Sequence, residues 1–481
     1  METVRVEKYD DVYIKVYCEP GTAYEMSEFF TFDVPGAKFM PAYRNKVWDG
    51  KVRLYNPMSQ TLYYGLLPYV ERFCRERQYE IDYLSDFSHE EFSVVEAKQF
   101  IDTIGLTLEP RDYQVKAFVH AVRNRRTLLL SPTASGKSLI IYLLTRYYDA
   151  RTLIIVPTTS LVSQLASDFA DYGFQSDRYV HRVYSGQDKS SDKPITITTW
   201  QSIYKLPKEY FERFDVVIGD EAHLFKAKSL TSIMGKLKDC KYRFGFTGTL
   251  DGTQTNKLVL EGLFGAAKRV ITTSELIEQK HLAEFKIKCL LLKYPDDVRK
   301  LIKSYDYQAE IDWIVRCPQR NNFIKNLALS LEGNTLLLFQ FVDKHGKVLY
   351  DMIRNSTDRK VFYVSGSVDG DEREQIRKIV EGEKDAIIVA SYGTFSTGVN
   401  IRNLHNIIFS SPSKSRIRNL QSIGRGLRKS ETKTESTLYD IADDFSIKAW
   451  RNHTLNHFIE RTKIYNEEKF SFKVYPVNLK V

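Results

Sequence analysis

A chain of 481 residues with 43% apolar content is long enough for about three domains with ordinary cores. Its 70 lysines and arginines against 61 acids leave a charge of +9, a modest excess that suits a polyanionic partner without requiring one. Five scattered cysteines with no CxxC pair argue against a disulfide framework or a metal cluster; no apolar run is long enough to span a bilayer and the first residues carry no signal-like stretch, so the expectation is a soluble protein of a reducing compartment.

Residues 1–105 read as a small α+β domain. Residues 12–17 alternate as a strand does, 23–30 suit a short helix, and 68–79 carry helical periodicity. Between them, 39–55 is short, aromatic and basic, with Gly36, Pro41 and Gly50 as turn points. Lys38, Arg44, Lys46, Lys51 and Arg53 interleave with Phe39, Tyr43, Trp48 and Tyr55. Cations of this kind contact phosphates and rings stack on exposed bases. The competing reading is a packed core under a solvated basic face. Trp48 is read as core, and Lys46, Lys51 and Arg53 as DNA contacts.

From 106 to 280, apolar runs at 128–130, 153–156, 195–199, 216–218 and 242–246 alternate with helical stretches, the pattern of a parallel sheet covered on both faces. Residues 281–450 repeat it, with runs at 335–341, 360–364, 386–390, 406–410 and 436–441. Residues 451–481 read as a helical tail with an extended basic end. The fold class is α/β: two parallel-sheet domains in tandem behind a small α+β N-terminal domain. Each is expected to have its own core, so removal of 1–105 is expected to leave a folded remainder.

The run Ser131-Pro132-Thr133-Ala134-Ser135-Gly136-Lys137-Ser138 lies between a strand and a helix. Backbone N–H groups there cradle phosphate, Lys137 reaches the β- and γ-phosphates, and the Ser138 hydroxyl suits Mg²⁺. Thr133, Ala134, Ser135 and Gly136 form the cradle. Ser131 stands where such loops usually begin with Gly. Downstream, the 216–218 strand ends in Gly219-Asp220-Glu221-Ala222-His223. Ligands of open α/β sheets bind at strand carboxyl ends, where Asp220 can hold Mg²⁺ and Glu221 can orient the attacking water. The expected cofactors are ATP and Mg²⁺.

With these motifs in hand, the chain resembles a superfamily 2 helicase with two RecA-like domains, over roughly residues 109–444. The resemblance implies that Arg111 and Gln114, in Glu109-Pro-Arg-Asp-Tyr-Gln114, read adenine. It implies that Thr158, and Thr199 with Gln201 in Thr198-Thr-Trp-Gln201, touch a DNA strand. Thr247 and Thr249 of Thr247-Gly-Thr249, with His223 and Gly398, would couple hydrolysis to movement. Phe339-Gln-Phe341 matches the first motif of the second domain. Gln421, Arg425 and Arg428, in Gln421-Ser-Ile-Gly-Arg-Gly-Leu-Arg428, would complete the ATP site. Arginines delivered to the transferring phosphoryl group are worth ~10³–10⁵ in rate.

A finer resemblance, carried by Phe29-Phe-Thr-Phe32, Tyr43-Arg-Asn-Lys-Val-Trp-Asp-Gly-Lys-Val-Arg-Leu54, Gly65-Leu-Leu-Pro68 and Leu263-Phe-Gly265, is to phage recombination helicases of the UvsW type. It implies an ATP-dependent DNA helicase that branch-migrates forks and Holliday junctions, acting as a monomer in the cytoplasm of a bacterial host. The alternatives are a DNA translocase subunit of a restriction system, an RNA helicase of the Asp-Glu-Ala-His type, and a non-catalytic DNA-binding scaffold with a relic motor.

Overall fold

The computed structural model describes residues 2–480 apart from 185–187, 367–374, 377–378, 397–400, 402, 412–414, 416–419, 421 and 425–434. The chain divides into two compact units, residues 1–131 with 136–270 and residues 132–135 with 271–481.

In the first unit, β1 (Thr3–Lys8), β2 (Tyr13–Tyr17), β5 (Thr61–Tyr63) and β6 (Glu80–Tyr83) form a sheet ordered β5-β2-β1-β6, while β3 (Thr31–Asp33) and β4 (Lys51–Arg53) pair separately. Strand alternation puts Val4, Val6, Ile14 and Val16 on one face. That face is covered by Met26 of the helix Pro20–Phe29 and by Val70, Phe73 and Cys74 of the helix Leu67–Arg77. The same core takes in Leu258, which belongs to the helix Gln254–Phe264, far along the chain.

The strands β7 (Arg126–Leu130), β8 (Thr152–Val156), β9 (Val180–Val183), β10 (Ile195–Thr199), β11 (Val216–Asp220), β12 (Tyr242–Thr247) and β13 (Ala267–Arg269) make a parallel sheet ordered β13-β7-β12-β11-β8-β10-β9. Five of them are the expected strands. The edge strands β9 and β13 lack an apolar run, since Val-His-Arg-Val and Ala-Lys-Arg are half polar, and pattern reading passed over them.

The small domain is seated on the amino ends of this sheet. Gly65 lies so close to the helix Gln254–Phe264 that a Cβ there would sit 1.9 Å from the Glu261 carbonyl oxygen. Tyr69 donates to the Glu261 carboxylate at 2.5 Å. The backbone carbonyl of Asp11 accepts from Arg126 and from Arg243, each at 3.3 Å. Arg243 is fully buried and also donates to the carbonyls of Met234, Leu237 and Leu263.

The boundary expected at 105 does not separate two cores. Phe92, Ala97 and Ile101 of the segment assigned to the N-terminal domain pack in the core of the parallel sheet with Phe118 and Leu143, so the cut at 105 falls inside the parallel-sheet domain. The shared core and the Asp11 carbonyl also argue against a free-standing remainder after removal of 1–105, because the buried Arg243 and the largely buried Arg126 would lose an acceptor.

In the second unit, β14 (Glu284–Lys293), β15 (Thr335–Phe339), β16 (Val361–Val364), β17 (Ile387–Ser391), β18 (Asn406–Phe409), β19 (Glu435–Asp444) and β20 (Phe472–Asn478) are ordered β16-β17-β15-β18-β19-β14-β20, all parallel. The expected tail is therefore no appendage. Its helix His453–Glu467 buries Arg461 against Asp440 of β19 at 2.8 Å, and its last stretch becomes β20 on β14. The strand expected at 335–341 stops at Phe339, and after two more residues the chain enters a wide π-helical turn, Val342–Gly346.

Candidate active site

The carboxyl ends of β7, β11 and β12 bring the candidate residues together. β7 hands over to the loop 131–136, and Ser131 N–H donates to the Thr247 carbonyl at the end of β12 (2.8 Å). Gly136 takes a left-handed conformation (φ 77°) as the cap of the helix Lys137–Tyr148, and Ala134 is left-handed too (φ 65°). Gly136 is required twice over, since a Cβ there would come within 2.3 Å of the Gln114 amide nitrogen. Gln114 donates from that nitrogen to the Gly136 carbonyl at 3.3 Å and accepts from Arg111 N–H at 2.8 Å. The segment around Arg111 and the loop 131–136 are thereby joined. Ser135 is buried and donates to the Pro132 carbonyl, closing the turn in which Thr133 and Ala134 sit.

Lys137 Nζ lies 3.4 Å from Glu221 Oε1 and 3.8 Å from Asp220 Oδ1. Burial and the Glu221 charge raise the Asp220 carboxyl above its ordinary range, against the pull of Lys137. Burial pushes Glu221 up as well, but Lys137 and His223 outweigh it and hold the carboxyl down at about 2. Glu221 is itself left-handed (φ 49°), an uncommon state for a residue with a side chain and one that recurs at functional turns.

His223 Nδ1 is 3.4 Å from Glu221 and 3.0 Å from Thr247 Oγ1. Thr247 gives its own proton to the Thr249 carbonyl at 3.0 Å, so the imidazole nitrogen is the donor to Thr247. The acids, His223, Thr247 and the Thr249 backbone thus form one connected chain of contacts. The donor set fits Mg²⁺: the hydroxyl of Ser138 and the carboxylate of Asp220 are hard oxygens next to a helix N-terminus built for phosphate.

The DNA candidates fare unevenly. Thr158 caps the helix Thr159–Asp171, accepting from Leu161 N–H at 3.4 Å. Thr199 is a buried residue at the end of β10 with its hydroxyl 3.0 Å from that of Ser202, while Gln201 is exposed. Lys46, Lys51 and Arg53 are all exposed, but Arg53 is ion-paired with Asp49 at 2.5 Å. Trp48 is half-buried, held by its indole N–H on the Lys51 carbonyl at 2.8 Å, and Tyr55 is the ring that is truly core. Phe39 and Tyr43 are exposed. Gly398, Gln421, Arg425 and Arg428 lie outside the described residues.

Sequence reading missed Tyr172, whose hydroxyl meets Ser138 Oγ at 2.7 Å. No motif marks it, because 34 residues separate the two.

Three family models match the chain: the UvsW DNA helicase N-terminal domain at residues 3–84, the res subunit of type III restriction enzymes at 107–252, and the helicase conserved C-terminal domain at 319–430. The chain is 37% identical to the ATP-dependent DNA helicase uvsW of Enterobacteria phage T4, over 99% of this chain and 100% of that one. The crystal structure of T4 UvsW superposes with a TM-score of 0.53 at 35% identity, covering 99% of this chain and 100% of that one. A fragment of a putative HsdR subunit of a type I restriction enzyme from Vibrio vulnificus, 16% identical, superposes with a TM-score of 0.60 over 89% of this chain and 77% of that one; at that identity only the fold is shared.

Proposed function

The chain belongs to the UvsW family of DNA helicases and is an ATP-dependent enzyme acting on DNA, and from that premise we propose that its substrate is branched duplex DNA, forks and four-way junctions, remodelled in recombination, replication or repair. The enzyme works as a monomer in the cytoplasm of the bacterial host of a phage; no described helix is long and apolar enough to cross a membrane.

The observation that carries the chemistry is Lys137 held between Asp220 and Glu221 at the strand ends, with His223 linking the acids to Thr247. On this reading Lys137 leaves the acids for the β- and γ-phosphates when ATP enters. Ser138 and Asp220 would hold Mg²⁺, which would supply charge neutralisation on the phosphoryl oxygens. Glu221, freed of its lysine, orients the attacking water. Arg111 and Gln114 recognise adenine. Thr247 and Thr249 carry the change at the acids into strand β12. Arg425 and Arg428 supply the remaining charge, and Gln421 a neutral polar contact, on the sequence argument alone.

The branch preference is supported by the lobe between β3 and β4. Lys46 and Lys51 project beside exposed Phe39, Tyr43 and Val47. Such a surface offers phosphate contacts together with rings for unpaired bases. The test is binding of a four-way junction and of linear duplex across a salt series, for the natural protein and for Lys46→Ala/Lys51→Ala. The two substitutions should lower the salt slope on the junction by about 1.8 and leave linear duplex less affected. Equal slopes and equal preference would remove the lobe from the DNA path.

A further inference from the structure

We propose that Tyr172 is a positioning residue for the phosphate loop: its hydroxyl holds the Ser138 hydroxyl so that a lone pair of Ser138 stays free for the divalent cation that accompanies ATP. The inference rests on Ser138 as a cation ligand, and its test separates the two.

The contact is short and its two sides are fixed. Ser138 Oγ and Tyr172 OH are 2.7 Å apart. Ser138 is the second residue of the helix Lys137–Tyr148, so its backbone is set by the cradle. Tyr172 closes the helix Thr159–Asp171, with its N–H on the Asp168 carbonyl at 3.0 Å. Its ring lies 5.3 Å from that of Tyr142, one turn beyond Ser138 on the same helix. The preceding carbonyl, of Asp171, accepts from Thr107 Oγ1 at 2.6 Å, on the segment that leads to Arg111 and Gln114. Tyr172 is therefore held by both of the segments that meet the nucleotide.

A serine hydroxyl has one proton and two lone pairs. When a cation takes one lone pair, the proton needs an acceptor pointing elsewhere. The Tyr172 oxygen is such an acceptor, already in place before any cation arrives. Holding the proton on that side turns the lone pairs away from Tyr172 and removes a rotamer search from cation binding. The helix that ends at Tyr172 is capped at its other end by Thr158, a candidate DNA contact. One rigid element thus carries a strand-contact residue and the partner of the cation-binding serine.

The test is Mg²⁺ titration of the binding of a fluorescent ADP analogue to the full chain, as natural protein, Tyr172→Phe, Ser138→Ala and the double variant. Tyr172→Phe, which removes one oxygen, should raise the Mg²⁺ midpoint about three- to tenfold, the worth of one hydrogen bond. Metal-free nucleotide binding and melting temperature should stay as they were. In the Ser138→Ala background the same substitution should add nothing. An unchanged or lowered midpoint for Tyr172→Phe overturns the proposal, and so does an equal factor in both backgrounds, which would mark Tyr172 as general packing. Should Ser138→Ala leave the midpoint where it was, the serine is no cation ligand, and the proposal falls with that assignment.

Discussion

At the carboxyl ends of β7, β11 and β12, charged groups are paired in ways that a ligand can exchange. Lys137 spans two carboxylates at 3.4 and 3.8 Å, and all three side chains keep some solvent contact. At the amino ends of β7 and β12 the cations Arg126 and Arg243 are nearly and fully buried, and their acceptors are mostly backbone carbonyls. Tyr64 stacks under the Arg126 guanidinium at 3.5 Å. A guanidinium bound to carbonyls has no lower-energy partner to move to, since its acceptors are fixed in the fold. The same two strands therefore end in a switchable site at one extremity and a permanent clamp at the other, and the clamp holds the small N-terminal domain.

The contrast predicts that damage at one end costs activity and damage at the other costs stability. Lys137→Ala should lower ATP turnover by at least about 10²-fold, the scale of a lost transition-state donor, while the melting temperature stays level; a variant that melts early instead would make Lys137 part of the clamp. Arg243→Met should do the reverse. Removing the donor to the carbonyls of Met234, Leu237 and Leu263 should cost at least about 3 kcal/mol in chemical denaturation, with turnover per folded molecule little changed.

Gly65→Ala probes the seam itself. With the Glu261 carbonyl 1.9 Å from the new Cβ, overpacking should cost about 1–3 kcal/mol. Junction preference should fall more than ATP turnover does. Loss of both in equal measure would mean that the seat of the small domain also shapes the ATP site.

The smallest effect is one of pH. His120, at the clamp end, is pushed down to about 4 by burial and by Lys268, His89 and Arg123. Its folded value lies below the ordinary 6.5, so the unfolded chain takes up the proton first. The associated stability is present above pH 6.5 and is lost as pH falls toward 4. After solvent screening it is worth no more than about 1 kcal/mol. His120→Gln should flatten the melting temperature between pH 7 and 5; an unchanged slope would leave the acid sensitivity to other groups.

Most of the candidate site is legible in the chain because its residues come in short runs with fixed chemistry. A Gly-Lys-Ser turn between a strand and a helix has little freedom: the helix N-terminus and the left-handed Gly136 place Lys137 and Ser138 wherever the fold goes. Asp-Glu at the end of an apolar strand is fixed by the same local logic, and so was the alternation that announced two parallel sheets. What pattern could not decide depended on partners distant in sequence. The edge strands β9, β13 and β20 exist because a neighbouring strand offers free carbonyls and N–H groups, which half-polar segments can accept as readily as apolar ones. The tail belongs to the second sheet because Asp440 needed Arg461. Thr199 reads as a strand contact until burial turns its hydroxyl inward, and Tyr172 has no mark at all until two helices pack. Local sequence sets backbone conformation through short-range sterics, whereas burial and pairing are set by whichever surfaces meet, and for the Asp11 carbonyl and Arg243 those surfaces lie more than 200 residues apart.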